Sequence, residues 1–245
     1  PGFATNSIYQ GQAQGVYIHT CGLGKFTAND VYDNAEAGFD VETDGNPTVD
    51  GNKVHAGKSF GICVHNDGQG NYLNNSIFDN KDAGIDVSTT GHPIITTNKI
   101  YDGQQMGVHF HDNGLGRMDE NEVYGNKSAG VLITNKSNPK LTKNKIFDGH
   151  MQGVHVKKEG NGLLVENEIY NNTNAGVYIE TEGNPTLRKN FVHHGKESGV
   201  HVDNYGLGMI EENRILDNVL AGVNVEHGGN PLLRDNDLQA LNLWH

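Results

Sequence analysis

The sequence predicts an all-β protein: a single-stranded, right-handed parallel β-helix of about 10–11 coils, each 23 residues long. Three observations predict it. First, an Asn recurs at a fixed interval of 23, from Asn6, Asn29 and Asn52 through to Asn236, with no insertion. Second, a Gly follows nine residues after each of the first ten, from Gly15 to Gly222. Third, aliphatic and β-branched residues stand two apart, as on one face of a strand, and no helical spacing competes with them. A strict period of this size marks stacked repeats, each burying its apolar side against the next.

The two units from Asn98 to Lys143 show the plan of every coil. Two residues after the Asn the position is always aliphatic, as in Ile8, Val31, Ile100 and Leu238. The next position carries a ring, in Tyr9, Tyr32, His55, Phe78, Tyr101, Tyr124, Phe147, Tyr170 and His193, and predicts a stacking ladder. A second apolar pair falls ten and twelve residues after the Asn, as in Val108 and Phe110. A fourth apolar column runs Phe26, Val49, Tyr72, Ile95, Met118 and onward. Each coil therefore holds about three short strands separated by turns, with equivalent positions about 4.8 Å apart along the stack. The apolar runs are too short for helices, and the leucine/asparagine spacing of a leucine-rich repeat is missing.

The Asn column reads as a turn position that tolerates a left-handed backbone, with side-chain amides stacked up and down the ladder. The Gly column reads as a backbone constraint. A second period of 46 overlies the first: Gly-x-Gly units such as Gly114/Gly116 alternate with Pro turns such as Asn138-Pro139. These glycines do not join a strand to a helix, so no phosphate loop is expected. The last position of the unit alternates in charge, through Glu120, Lys143, Glu166, Lys189 and Glu212, and predicts weak Glu–Lys pairing between coils.

Composition narrows the function. The chain of 245 residues carries a formal charge of −12 and no Lys/Arg run, so no nucleic-acid partner is expected. No apolar run approaches the length of a membrane-spanning helix, and no membrane partner is expected. Cys21 and Cys63 occupy different columns, so no disulfide framework is indicated. The repeats read as one domain over residues 1–245, with 237–245 departing from the pattern, and as a monomer or a piece of a larger chain.

Two polar columns flank the second strand. The first runs Tyr17, Asp40, Cys63, Asp86, His109, Leu132, His155, Tyr178, His201, Asn224, and the second runs His19, Glu42, His65, Ser88, His111, Thr134, Lys157, Glu180, Asp203, Glu226. Six of the 13 histidines fall here. Alternation along a strand projects these side chains from one sheet face. The expected binding residues are Tyr17, Asp40, His65, Asp86, His109, His111, His155, Tyr178, His201 and Asp203. The preferred reading is a recognition face for a protein segment, with a polysaccharide second. The alternative is a polysaccharide lyase, epimerase or glycoside hydrolase using Asp86, His109 and His111, because a carboxylate beside an imidazole serves general acid/base chemistry. Asp86, His109 and His111 also form a two-His, one-carboxylate set, a weaker metal reading. No resident metal or cofactor is expected. A third reading is a structural repeat segment.

The stretch Gly183–Asp237, GNPTLRKNFVHHGKESGVHVDNYGLGMIEENRILDNVLAGVNVEHGGNPLLRDND, resembles the β-helix repeats of F-box proteins with a carbohydrate-binding/sugar-hydrolase-type repeat region. Related repeats occur in bacterial and archaeal β-helix proteins. The resemblance covers nearly the whole chain, including the 23/46 alternation. It implies a right-handed β-helix that recruits protein substrates, in cytoplasm or nucleus; the carbohydrate-active relatives of the fold imply an extracytoplasmic setting instead. No F-box or zinc-finger motif is found within these 245 residues, and the matching motifs are structural ones.

Overall fold

The computed structural model describes residues 2–240. Every coil contributes three short strands, nearly all of three residues, and no helix occurs among the described residues. The first sheet begins with Gly2–Ala4, the second with Ser7–Tyr9 and the third with Val16–Ile18. The next coil adds Lys25–Thr27, Asp30–Tyr32 and Phe39–Val41, one to each sheet. Repetition yields two 11-stranded sheets and one 10-stranded sheet, all parallel. The register never slips within the repeats: Ile62 pairs with Ile85, and Ile85 with Val108. The right-handed β-solenoid is thus as the sequence period requires.

Short strands suffice because the core is continuous along the axis. In one coil Ile95, Ile100, Val108 and Phe110, drawn from all three sheets, are fully buried. Burying such a side chain contributes about 1.5–3 kcal/mol. The fourth apolar column reaches one coil further than the sequence pattern suggests, since Phe3 stacks on Phe26 with centroids 4.9 Å apart. The ring column stacks too: from Tyr9 to His193 successive centroids lie 4.6–5.3 Å apart.

The Asn column is a hydrogen-bonded ladder inside the turn. Asn98 Oδ1 accepts from the backbone N–H of Asn75 and from Asn75 Nδ2, both at 2.9 Å. Asn98 Nδ2 in turn donates to Tyr72 O at 2.8 Å and to Asn121 Oδ1 at 3.0 Å. The left-handed residue, however, is the one before the Asn. Thr97, Glu120 and Lys143 have φ of 55°, 57° and 54°. The Asn keeps an ordinary φ and points its amide inward, while the preceding residue turns the chain and leaves its side chain in water. The alternating charges therefore sit on the bend, where Lys143 Nζ lies 3.9 Å from Glu166 and Lys189 Nζ 3.5 Å from Glu212.

The Gly column answers to space rather than to φ. A Cβ on Gly107 would sit 2.6 Å from Val123 Cγ1 and 2.7 Å from Gly130 O. The second glycine of the later Gly-x-Gly units does need φ, with Gly116 at +107°. A further buried Asn column is less apparent in the sequence. Asn34, Asn80, Asn126, Asn172 and Asn218 recur every 46 residues, and Gly11, Gly57, Gly103, Gly149 and Gly195 fill the same place in alternate coils. Asn126 Oδ1 accepts from Gly103 N at 3.0 Å while its Nδ2 donates to Ile100 O at 3.1 Å. Asp237–Ala240, expected to depart from the pattern, still pairs with Arg214–Asn218, but its register shifts between Ile215 and Asn218. Residues 241–245 of that expected tail lie outside the described residues.

Candidate functional site on the third sheet

The third sheet carries the first polar column at the centre of its three-residue strands, as Asp86 in Ile85–Val87 and His109 in Val108–Phe110. The second column does not continue the strand, contrary to expectation. His65 and His111 follow Val64 and Phe110, the last strand residues, and their side chains fold back across the face. One diagonal rule results: a residue meets the residue 25 positions later. Twenty-three of those positions reach the next coil and two more reach the second column. By this rule His65 Nε2 lies 2.9 Å from Asp40 Oδ1 and His111 Nε2 lies 3.2 Å from Asp86 Oδ2. His155 Nε2 meets Glu180 Oε1 at 2.9 Å, Tyr178 donates to Asp203 Oδ2 at 3.1 Å, and His201 Nε2 meets Glu226 Oε1 at 2.7 Å. Tyr17 donates to Glu42 on the same diagonal.

This folding-back overturns part of the surface reading. The first column is expected from alternation to project into solvent, yet Asp40, Asp86 and His155 are 8%, 2% and 9% exposed. Each is roofed by its diagonal partner. The ten expected residues share one face but not one site: Tyr17 lies near one end and His201 many coils on, well outside the Asp86 neighbourhood.

Asp86, His109 and His111 do come together. Asp86 pairs in register with His109, and His109 Nδ1 lies 3.4 Å from Asp86 Oδ1. That approach serves charge but is too oblique for a hydrogen bond, so the buried Oδ1 has no hydrogen-bonding partner in the protein. The two imidazoles stack with centroids 4.4 Å apart. Two supporting residues lie outside the expected set: Asp112 Oδ2 lies 2.8 Å from His111 Nδ1, and Thr134 Oγ1 lies 3.5 Å from His109 Nε2. The diagonal rule identifies Thr134 once the fold is known, whereas Asp112 is a turn residue with no signal of its own. Burial alone would raise the Asp86 carboxyl, but the two imidazoles outweigh it and hold it below its ordinary value. The Asp86 bond, opposed by partial burial and joined by Asp112, raises His111 to about 9.

One coil pair earlier, Asp40 accepts from Gln14 Nε2 at 2.9 Å besides meeting His65. The Asp40 bond raises His65 against the pull of burial. Cys63 stands between Asp40 and Asp86 in register, with Sγ 4.0 Å from Asp86 Oδ2. Burial first, then the neighbouring carboxylates, push its thiol far up. Farther along, burial and Lys157 lower His155 despite Glu180. Asp203 meets His227 Nδ1 at 2.8 Å as well as Tyr178. An open concavity of about 760 Å³ lies away from Asp86 on the turn side, lined by Lys136, Glu159, Asn161, Glu182, Asn184, Tyr205 and Leu207. A smaller hollow of about 230 Å³ is bordered by Tyr178 and His201 on the third sheet.

Solved structures share this architecture. The periplasmic alginate epimerase AlgG is similar with a TM-score of 0.68 at 15% identity, over 89% of this chain and 61% of that one. This chain thus spans about three fifths of that epimerase. The mannuronan C-5 epimerase AlgE4 A-module of Azotobacter vinelandii is similar with a TM-score of 0.57 at 14% identity, over 98% and 86%. Pectate lyase Pel9A has a TM-score of 0.56 at 12% identity, over 89% and 68%. At these identities the likeness is one of fold. No curated protein sequence is significantly similar to this chain. The comparisons support the coarser likeness to carbohydrate-active β-helix proteins and do not extend to F-box proteins. The right-handed β-helix region family matches residues 3–146 and 129–242, and the chain belongs to that family.

Proposed function

We propose that the chain is a polysaccharide-directed β-helix protein whose reactive centre is Asp86 with His109 and His111. One observation carries the reading: a buried carboxylate facing one nitrogen of each of two mutually stacked imidazoles on an otherwise regular face. Proteins of similar fold are named as epimerases of alginate and mannuronan and as a pectate lyase, which supports a polysaccharide over the protein segment preferred from sequence. A long ladder of equivalent coils also suits an extended chain ligand.

The chemistry that fits is proton transfer at a carbon next to a sugar carboxylate. C5 inversion and β-elimination both start with removal of that proton, and both need a base and an acid within hydrogen-bond reach of the sugar. One imidazole takes the proton, the other supplies one, and Asp86 holds the His111 ring by a hydrogen bond while lying beside His109. Hydrolysis fits less well. A glycosidase needs one carboxyl free to protonate the leaving oxygen and a second to act on the sugar or a water. In this chain Asp40 is engaged by His65 and Gln14, and Asp86 by His111.

The test is a panel of uronate and neutral polysaccharides, scored for new double bonds, C5 inversion and new reducing ends. Double bonds or inversion, lost in Asp86→Ala and His109→Ala, are expected. Reducing ends alone, or turnover retained in both variants, would overturn the assignment.

A further inference from the structure

The geometry points to Asp86, His109 and His111 as a binding site for a divalent first-row transition ion such as zinc or cobalt. One ligand atom from each residue lies within 4.8 Å of the others. His109 Nδ1 lies 3.4 Å from Asp86 Oδ1 and His111 Nε2 lies 3.2 Å from Asp86 Oδ2, so each imidazole faces its own oxygen of one carboxylate. Zinc bonds to imidazole and carboxylate are about 2.0–2.2 Å, and tetrahedral angles then separate neighbouring ligand atoms by about 3.3–3.6 Å. Each nitrogen–oxygen contact already has that spacing, and the closing of the set from within 4.8 Å onto one ion needs only a small turn of the carboxylate or a ring.

Three features separate this cluster from a chance gathering of polar groups. The buried Asp86 Oδ1 has charge nearby but no hydrogen bond. Each imidazole turns one nitrogen to Asp86 and has its other nitrogen held from outside, by Asp112 Oδ2 at 2.8 Å and Thr134 Oγ1 at 3.5 Å. Outer partners of this kind fix the tautomer and ring angle of metal-binding histidines. Finally, two imidazoles with one carboxylate suit intermediate ions, whereas calcium and magnesium favour all-oxygen sets. The other two clusters lack the free oxygen. Asp40 bonds His65 and Gln14, and Asp203 bonds Tyr178, His227 and its neighbour's N–H.

Ion and proton compete for the same nitrogens, so metal occupancy and the proton transfer proposed above exclude one another. The inference is independent of the polysaccharide reading, because it is tested with no sugar present. Zinc binding to the whole chain is measured by calorimetry, and cobalt binding by its visible absorption. One tight site per chain is expected, with calcium and magnesium unable to displace the ion. His109→Ala, His111→Ala and Asp86→Asn should each weaken it at least about a hundredfold, and Asp112→Ala about tenfold. Circular dichroism establishes that each variant is folded. Affinity unchanged in the Asp86 and His109 variants would show surface histidines to be the ligands and overturn the assignment. A cobalt–thiolate charge-transfer band, lost in Cys63→Ser, would do the same by moving the site to Cys63.

Discussion

The two halves of the third sheet obey one diagonal rule with opposite chemistry. Around Asp40 and Asp86 the carboxylate stands inside and the imidazole roofs it, as His65 and His111 do. Around His155 and His201 the imidazole takes the inner column and a glutamate, Glu180 or Glu226, roofs it. The break falls at the coil of Leu132 and Thr134, where neither column is ionisable. The backbone is the same on both sides, so residue type at each column position sets the charge. An outer imidazole over a buried carboxylate is favoured as a cation, as His65 and His111 show. An inner imidazole beside Lys157 is driven toward neutrality, as in His155. Of the two halves, the one holding Asp86 combines a buried anion with two imidazoles.

The largest effect should be indifferent to this division. Asn98→Ala strips the acceptor from Asn75 N and Nδ2 and the donor from Tyr72 O. Asn167→Ala does the equivalent in the other half, to Asn144 and Leu141. Each unmet buried group costs about 1–3 kcal/mol, so both variants should lose about 3 kcal/mol or more, read as a fall in calorimetric Tm. A large difference between them would mean that the halves differ in their spine as well as their face. Next comes Gly107→Ala, whose methyl meets Val123 and Gly130 O and should cost about 1–3 kcal/mol on the same measure.

Thiol reactivity comes third. Cys63 lies between the buried carboxylates and Cys21 is exposed in a turn. Near neutral pH, Cys63 should react with a thiol reagent more than about tenfold slower than Cys21, and Asp86→Asn should speed it. Equal rates would contradict the burial of that inner column.

The smallest effect carries the sign of the inversion. The folded-state value of His65 is raised, so its stabilisation is present in full below the unfolded value near about 6.5 and is lost as pH rises through the folded value. The folded-state value of His155 is lowered, so its contribution is full above about 6.5 and is lost as pH falls. His65→Gln should therefore lose more Tm relative to the parent at about pH 5 than at about pH 9, and His155→Gln the reverse. The same sign for both would remove the distinction between the halves.

Much of this is legible in the residues, and the rest is hidden for definite reasons. The 23-residue period, the aliphatic columns and the ring column specify strands, register and core, because each repeat can bury its apolar side only against another copy. The Asn98 amide ladder follows from the same spacing, but the left-handed residue is Thr97, since an inward amide needs an ordinary backbone and the bend passes to its neighbour. The Asn126/Gly103 alternation escapes notice because a scan at 23 sees two different residues where a scan at 46 sees one pattern. Asp86 beside His109 is readable from register, whereas the burial of Asp86 is not. Alternation gives the direction of a side chain at a strand centre, but not the return of His111 from beyond the strand end or its hold on Asp112.

The assignment of chemistry to one half is tested most directly by two isosteric variants, Asp86→Asn and Glu180→Gln, assayed side by side on the uronate polysaccharides. Turnover should vanish in Asp86→Asn and survive in Glu180→Gln, with both chains folded. Survival in Asp86→Asn together with loss in Glu180→Gln would place the reactive centre in the other half and contradict the assignment to Asp86.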